Sequence, residues 1–466
     1  MSNLNGDGPD VSRTRHARLH PRAAAGVWVV AVAAGALVTS TMGTASVPAS
    51  ARPSVAAVVA GVWTPPQALS SAGVSATRPQ VAAAANGDAT VVWREPTSTG
   101  ARVMASWRVD GGAWSDPAWV SGPATRASAP QVAVNDRSAV VVWRSAGQMM
   151  ASRHLAGSEW TEPVAVSGKP PLLENWDVAM NGRGDITVVW HYRVDPSHSN
   201  MSAVRAVRRL PGRRWEAPVR LSGPLSDVTY DRYPQVAMDA QGKTNVVWLR
   251  PTDEDPCYVM AAQRSRGAAN WSAPARLDVN EGCSAPMVTM NDRGDTAATW
   301  EGAAYQMVAP YVTAAVRPAG EAWSSRSFGS FGESEAYAGG VALDAAGNAT
   351  FTWVDYAENG VFAARRPVGG PWGSPTLLSQ ELGGPNVAAG GEITTVVWDQ
   401  FPGRGLVRTQ STGDGIWGEV QALANGPGSD IPYYEGVRVA MDAQDGTVVV
   451  WTEMDGAIPR VMVTTG

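Results

Sequence analysis

The chain has 466 residues, 37 Lys and Arg against 42 Asp and Glu, a formal net charge of −5 and a hydrophobic share of 44%. A mildly acidic chain without a basic tract lacks the electrostatic footprint of a nucleic-acid-binding domain. Five His and two Cys argue against a His-based zinc site, so no metal or other cofactor is expected.

At the N-terminus, Arg13, Arg15, Arg18 and Arg22 precede the apolar run AAAGVWVVAVAAGALV (Ala23 to Val38) and the small-residue site Ala49-Ser50-Ala51. That order is a secretory signal peptide. The run has 16 residues, fewer than the roughly 20 that a membrane span needs. Residues 1–51 are therefore expected to be a signal and tail, with an uncleaved N-terminal anchor as the alternative. The rest of the chain keeps 33 basic against 40 acidic residues, a net charge of −7. The expectation is a secreted, extracellular monomer that touches a membrane only if the signal stays attached.

From residue 61 onward the chain repeats. RPQVAAAANGDATVVWR (Arg78 to Arg94), PQVAVNDRSAVVVWR (Pro130 to Arg144), YPQVAMDAQGKTNVVWL (Tyr233 to Leu249) and VRVAMDAQDGTVVVWT (Val437 to Thr452) are variants of one pattern. The Trp that ends the VVW segment recurs at 93, 143, 190, 248, 300, 353, 398 and 451, with spacings of 50, 47, 58, 52, 53, 45 and 53 residues. A second series opens a W-x-x-P-like segment at Trp63, Trp114, Trp160, Trp215, Trp271, Trp323, Trp372 and Trp417. Eight copies of a fifty-residue unit replace the several domains that length alone would suggest.

Each unit holds four short segments of strand character, as in QVAV (Gln131 to Val134), AVVVWR (Ala139 to Arg144), QMMASRH (Gln148 to His154) and WTEPVAVS (Trp160 to Ser167). Turns of the type N-D-R-S, N-G-R-G-D or D-A-Q-G join the first two, because Asn, Asp and Gly tolerate positive φ. No segment keeps an apolar period of 3.6. The fold class is all-β, an eight-bladed β-propeller of four-stranded antiparallel blades over residues 61–466. With strands named a to d outward from the axis, the last unit lacks its fourth strand and the chain begins with an unpartnered GVWTPPQALS (Gly61 to Ser70). The N-terminal strand is thus expected to close the last blade. The periodic Trp residues read as core between blades, leaving Trp107, Trp119 and Trp176 outside the pattern, the last in a long loop.

The a-b and c-d turns are short and uniform, whereas the b-c and d-a loops on the other face are long and variable, where function usually lives. Those loops gather Asp227, Tyr230, Asp231, Arg232 and Tyr233; Glu335 and Tyr337; and Asp430, Tyr433, Tyr434 and Glu435. Tyr and carboxylates around a concave mouth suit polar ligands such as sugars. The residues opening the inner strands are Gln80, Gln131, Asp177, Gln235, Met287, Gly340, Asn386 and Arg438. The Gln and Asn members read as structural hydrogen-bonding groups, and Asp177 and Arg438, which break the pattern, as ligand contacts. Arg94, Arg144, Arg193 and Arg250 follow the second-strand Trp of the first four units and read as a surface or stacking element. Cys257 and Cys283 fall in a b-c loop and the following d-a loop, an even pair that predicts a disulfide in a secreted chain.

The c-d turns VDGGAW (Val109 to Trp114) and TGDGIW (Thr412 to Trp417) resemble degenerate Asp-boxes of the bacterial neuraminidase repeat, and residues 61–466 are similar to secreted bacterial propellers called sialidase-like. The resemblance implies Asp-boxes on the face away from the active site, and it implies sialidase chemistry with an Arg triad, a Tyr nucleophile paired with Glu, and an Asp acid. No motif assigns that set here, so the catalytic residues stay unknown. The reading is a binding module for glycan or cell-surface ligands through the b-c and d-a face. The alternatives are a sialidase-like glycoside hydrolase, drawing on Asp231, Glu335, Asp430 and Glu435, and a protein-interaction scaffold.

Overall fold

The computed structural model describes residues 62–466 except 123–125, 170–171, 195–200, 224–229, 252–256, 278–284, 305–307, 330–335, 401–404 and 425–435. Among the described residues no helix forms, and the strands build eight four-stranded antiparallel sheets, the blades of a β-propeller. Blade 1 comprises strands a (Thr77–Ala83), b (Ala89–Thr97), c (Gly100–Arg108) and d (Ala118–Trp119). Blade 3 comprises Leu172–Met180, Ile186–Arg193, Ser202–Arg209 and Val219–Arg220.

Strand b is mostly buried because its Val, Ile and Ala residues face neighbours on both sides. All eight second-strand Trp residues are among the largest fully buried side chains. The other Trp series is partly buried and packs on the same clusters. Each cluster bridges two adjacent blades. Val92, Val103 and Trp143 join blades 1 and 2; Val189, Val236 and Trp248 join blades 3 and 4; Val397, Val449 and Trp451 join blades 7 and 8. The ring is completed by Trp93 and Val91 of blade 1 against Val448 and Val463 of blade 8.

Blade 8 takes its outer strand from the start of the chain, with Gln67 opposite Val463 and Ala68 opposite Met462. Thr64 N–H donates to the Thr465 carbonyl at 2.8 Å, Leu69 N–H to Val461 at 2.9 Å, and the Thr464 hydroxyl to the Thr64 carbonyl at 2.6 Å.

The fourth strand is shorter than the sequence pattern predicts, and proline is the reason. Pro has no N–H to give to a ladder, so the continuous strand starts after it, at Ala118 behind Pro117, Val164 behind Pro163, Val219 behind Pro218 and Ala275 behind Pro274, with only single bridges such as His154 to Trp160 upstream. Blade 5 has Arg326 in that place, and its strand runs five residues, Ser324–Phe328.

On the short-turn face the Asx side chains of the a-b turns tie blades together. Asn135 Nδ2 donates to the Asn181 carbonyl at 2.9 Å, and Arg266 reaches Asp185 at 2.6 Å. Within NDRGD, Asn291 Oδ1 accepts from the Arg293 and Asp295 N–H groups.

Candidate functional site

Register places the candidate site. The residue opening each inner strand pairs with the residue before the buried Trp in every blade: Gln80 with Val92, Gln131 with Val142, Asp177 with Val189, Gln235 with Val247, Met287 with Thr299, Gly340 with Thr352, Asn386 with Val397 and Arg438 with Val450. Just upstream, the inner strands of blades 1 to 4 carry a β-bulge. Each bulge has a non-glycine residue at positive φ, two positions before the ring residue: Arg78 (57°), Ala129 (46°), Asn175 (29°) and Tyr233 (54°). A bulge re-aims a side chain, and here all four residues line one cavity of about 770 Å³. Gln80, Gln131, Gln235 and Arg438 of the inner ring, together with Arg94, Arg144, Glu174 and Trp176, line it too. Starts of strand a and ends of strand b meet here, so the cavity opens on the face of the long loops.

The lining is electrically one-sided, with Arg78, Arg94, Arg144 and Arg438 facing Glu174 alone among carboxylates of the described residues. Glu174 is itself paired, 3.1 Å from His191 Nε2 and 3.3 Å from Arg193. Other acids nearby are occupied as well. Glu95 accepts from the Trp93 indole at 2.8 Å and from Arg102 at 2.8 Å. Asp231 is wholly buried and held by both arms of Arg250 at 2.7 Å. Among the described residues neither Arg94 nor Arg144 nor Arg438 has an acid partner. Arg144 donates to the Leu173 carbonyl at 2.9 Å, and Arg438 to the Val437 carbonyl at 3.0 Å. Burial pulls the Arg438 guanidinium below its ordinary value, as a cation without a counter-charge requires. The buried His191 imidazole is also pulled down by burial, against the upward pull of Glu174.

Of the residues expected to contact a ligand, Tyr233 and Arg438 line this cavity. Arg232 stands beside them at the start of the blade 4 inner strand, with its guanidinium 6.0 Å from the Tyr230 ring. Tyr337, on blade 6, packs edge-on against Tyr356 at 5.8 Å and is outside the lining. Asp227, Glu335, Asp430, Tyr433, Tyr434 and Glu435 lie outside the described residues, as does Cys283. No cysteine among the described residues is a free thiol.

Several residues take roles the pattern did not suggest. Trp176 is not in a loop: it lies in the inner strand of blade 3, is 8% exposed, and donates its indole N–H to the Ala129 carbonyl at 3.0 Å. Arg94 and Arg144 are cavity residues. The side chains of Gln80, Gln131 and Gln235 make no hydrogen bond within the described residues, so their amides are available to a ligand. Asp177 does the structural work instead, accepting from Val236 N–H of blade 4 at 2.9 Å and from Val178 N–H at 2.8 Å. Arg78 and Asn175 were missed altogether, although x-Pro-Gln recurs at Arg78-Pro79-Gln80, Ala129-Pro130-Gln131 and Tyr233-Pro234-Gln235.

Burial pushes the Asp177 carboxyl from 3.8 up to about 6, against the downward pull of the Val236 and Val178 N–H groups. An acid raised on folding holds its proton more tightly in the folded state. Its contribution is whole below 3.8 and is lost as pH rises through about 6. Asp177→Asn removes the titration but leaves one of the two N–H donors without an acceptor, so the variant should melt below the wild type near pH 4 and close much of that gap near pH 8. An equal change at both pH values would contradict this assignment.

No protein-family model matches the chain, and no curated protein matches it in sequence. Among solved structures, the polysaccharide lyase Uly1 is similar at 9% identity and a TM-score of 0.49, over 72% of this chain and 89% of that one. The α-L-arabinanase of Penicillium chrysogenum is similar at 11% and 0.39, over 63% and 94%. The Hadza microbial sialidase Hz136 is similar at 11% and 0.39, over 86% and 94%. At these identities and TM-scores the likeness assigns no chemistry to this chain.

Proposed function

We propose that the propeller is an exported glycan-binding module that takes acidic saccharides at the cavity mouth. The observation that carries this reading is the lining of four arginines against one already paired carboxylate. Arg94, Arg144 and Arg438, which have no acid partner among the described residues, suit carboxylate or sulfate groups bidentately. The three free Gln amides and the Tyr233 ring suit sugar hydroxyls and a sugar face. Asp227, Tyr230, Glu335, Tyr337, Asp430, Tyr433, Tyr434 and Glu435 belong to the same reading as ligand-contacting residues of the surrounding loops. Export rests on the order of Arg, apolar run and small residues at the N-terminus. The Cys257–Cys283 bridge goes with it, and an intact mass two hydrogens below that of the reduced chain is its check.

Carboxylate-pair hydrolysis is less favoured, because it needs two acids about 5 to 10 Å apart and Glu174 is the only carboxylate lining the cavity among the described residues. The test is an array of matched acidic and neutral glycans, read for retained protein and for cleaved sugar. Retention on acidic spots without cleavage is expected. Cleavage, retention blind to charge, or an empty array with capture of a protein partner would overturn the proposal.

A further inference from the structure

We infer that the ligand is a polymer segment laid across blades 1 to 4, with successive sugar units read at Arg78, Ala129, Asn175 and Tyr233. This deepens the acidic-glycan reading and rests on it. The first support is strain. A non-glycine residue at positive φ costs about 1 to 3 kcal/mol and persists only where its surroundings impose it. Here it recurs at one register position in four consecutive blades. The described residues of blades 5 to 8 show none at that position, and blade 6 has a bulge without it.

The second support is bracing. The Trp176 indole bonds the bulge of blade 2 through the Ala129 carbonyl, Arg144 of blade 2 bonds the Leu173 carbonyl of blade 3, and Asp177 bonds Val236 of blade 4. These three bonds tie blades 2, 3 and 4 together beside their bulges, so Ala129, Asn175 and Tyr233 are held as a set, as preorganised recognition of one extended ligand requires. A ligand confined to one subsite would not need blades 2, 3 and 4 fixed together.

The third support is shape and chemistry. The cavity, at about 770 Å³, lies toward the upper end of the roughly 300 to 1,000 Å³ usual for ligand sites. It is lined by blades 1 to 5 and 8, and no described residue of blades 6 or 7 joins them. The arginines gather on blades 8, 1 and 2, and the aromatic surface on blades 3 and 4. An acidic unit therefore sits at the blade 1 end and a stacked sugar face at the Tyr233 end, with the small Ala129 leaving room between.

Calorimetry with chondroitin sulfate fragments of two, four, six and eight units tests this. Affinity should rise about tenfold or more from two to four units and change little beyond six. Tyr233→Gly, which the left-handed φ tolerates, should weaken the four-unit fragment about tenfold and leave the two-unit fragment unchanged. Tyr233→Phe should retain the length dependence. Equal affinity for every length, or equal weakening at every length, overturns the polymer inference and leaves acidic-glycan binding intact. No binding at any length overturns both.

Discussion

Replacing Arg94 and Arg438 together with alanine is expected to abolish retention on acidic glycans while leaving the thermal midpoint unchanged or raised. Neither guanidinium has an acid partner among the described residues, and Arg438 carries a desolvation cost that depresses its pKa. Truncation therefore orphans no buried carboxylate in the protein, which is the usual reason that removing a charge destabilises. Each hydrogen bond between an arginine and an anion contributes about 1.5 to 3 kcal/mol, so the pair together should cost roughly two to four orders of magnitude in Kd. Titration calorimetry alongside a melting curve separates the outcomes. Full binding by the double variant would remove the arginines from the site, and collapse of the fold with loss of binding would make them structural.

Arg250→Ala should give the opposite profile. Asp231 is wholly buried, and both its oxygens rest on Arg250 at 2.7 Å. Removing the guanidinium leaves a carboxylate in the interior without its counter-ion, a loss of about 3 to 5 kcal/mol. The midpoint should fall by several degrees. The double change Asp231→Leu with Arg250→Met should recover most of it, because a buried pair replaced by apolar side chains costs little. If the double variant melts as low as the single one, the instability comes from lost packing around the Arg250 stem. Asp231 also precedes Arg232 and Tyr233 in the chain, so disorder there should weaken ligand binding as a secondary effect.

The two variants separate what was visible in the sequence from what was not. Trp93 and its seven equivalents fill the same place in every blade, so their spacing carried the ring and its register, and the unmatched first and last segments carried the closing strand at Gln67–Ala68. Patterns that depend on side-chain burial survive translation into sequence because burial demands one residue type. The mouth was harder to read because it depends on backbone conformation. Arg78 and Asn175 line the cavity with positive φ, a conformation that Arg does not announce and that Asn175 signals only weakly. Asp177 was misread for a related reason. It looked like a chemical exception in a ring of amides, yet an acceptor was needed there for the Val236 N–H of the next blade. Arg94 and Arg144 were seen as periodic, but periodicity does not distinguish a side chain over the outer surface from one over the channel. The shortened fourth strands were predictable in principle, since Pro117, Pro163, Pro218 and Pro274 interrupt the ladder between the Trp and the strand that follows.

Closure of blade 8 by the earliest described segment imposes an order in time. The strand at Gln67–Ala68 leaves the ribosome or a translocation channel before any of its partners, and its ladder at Met462 and Val463 emerges last. Blades 1 to 7 can form as they appear, but the seam between blades 8 and 1 must wait for the whole chain. Until then the inner surfaces of Trp93 and Val91 lack their neighbours from blade 8. A pause or truncation anywhere before Ile458 would therefore leave an incomplete ring with an apolar flank exposed, so rapid synthesis through Thr465 shortens the life of an aggregation-prone intermediate.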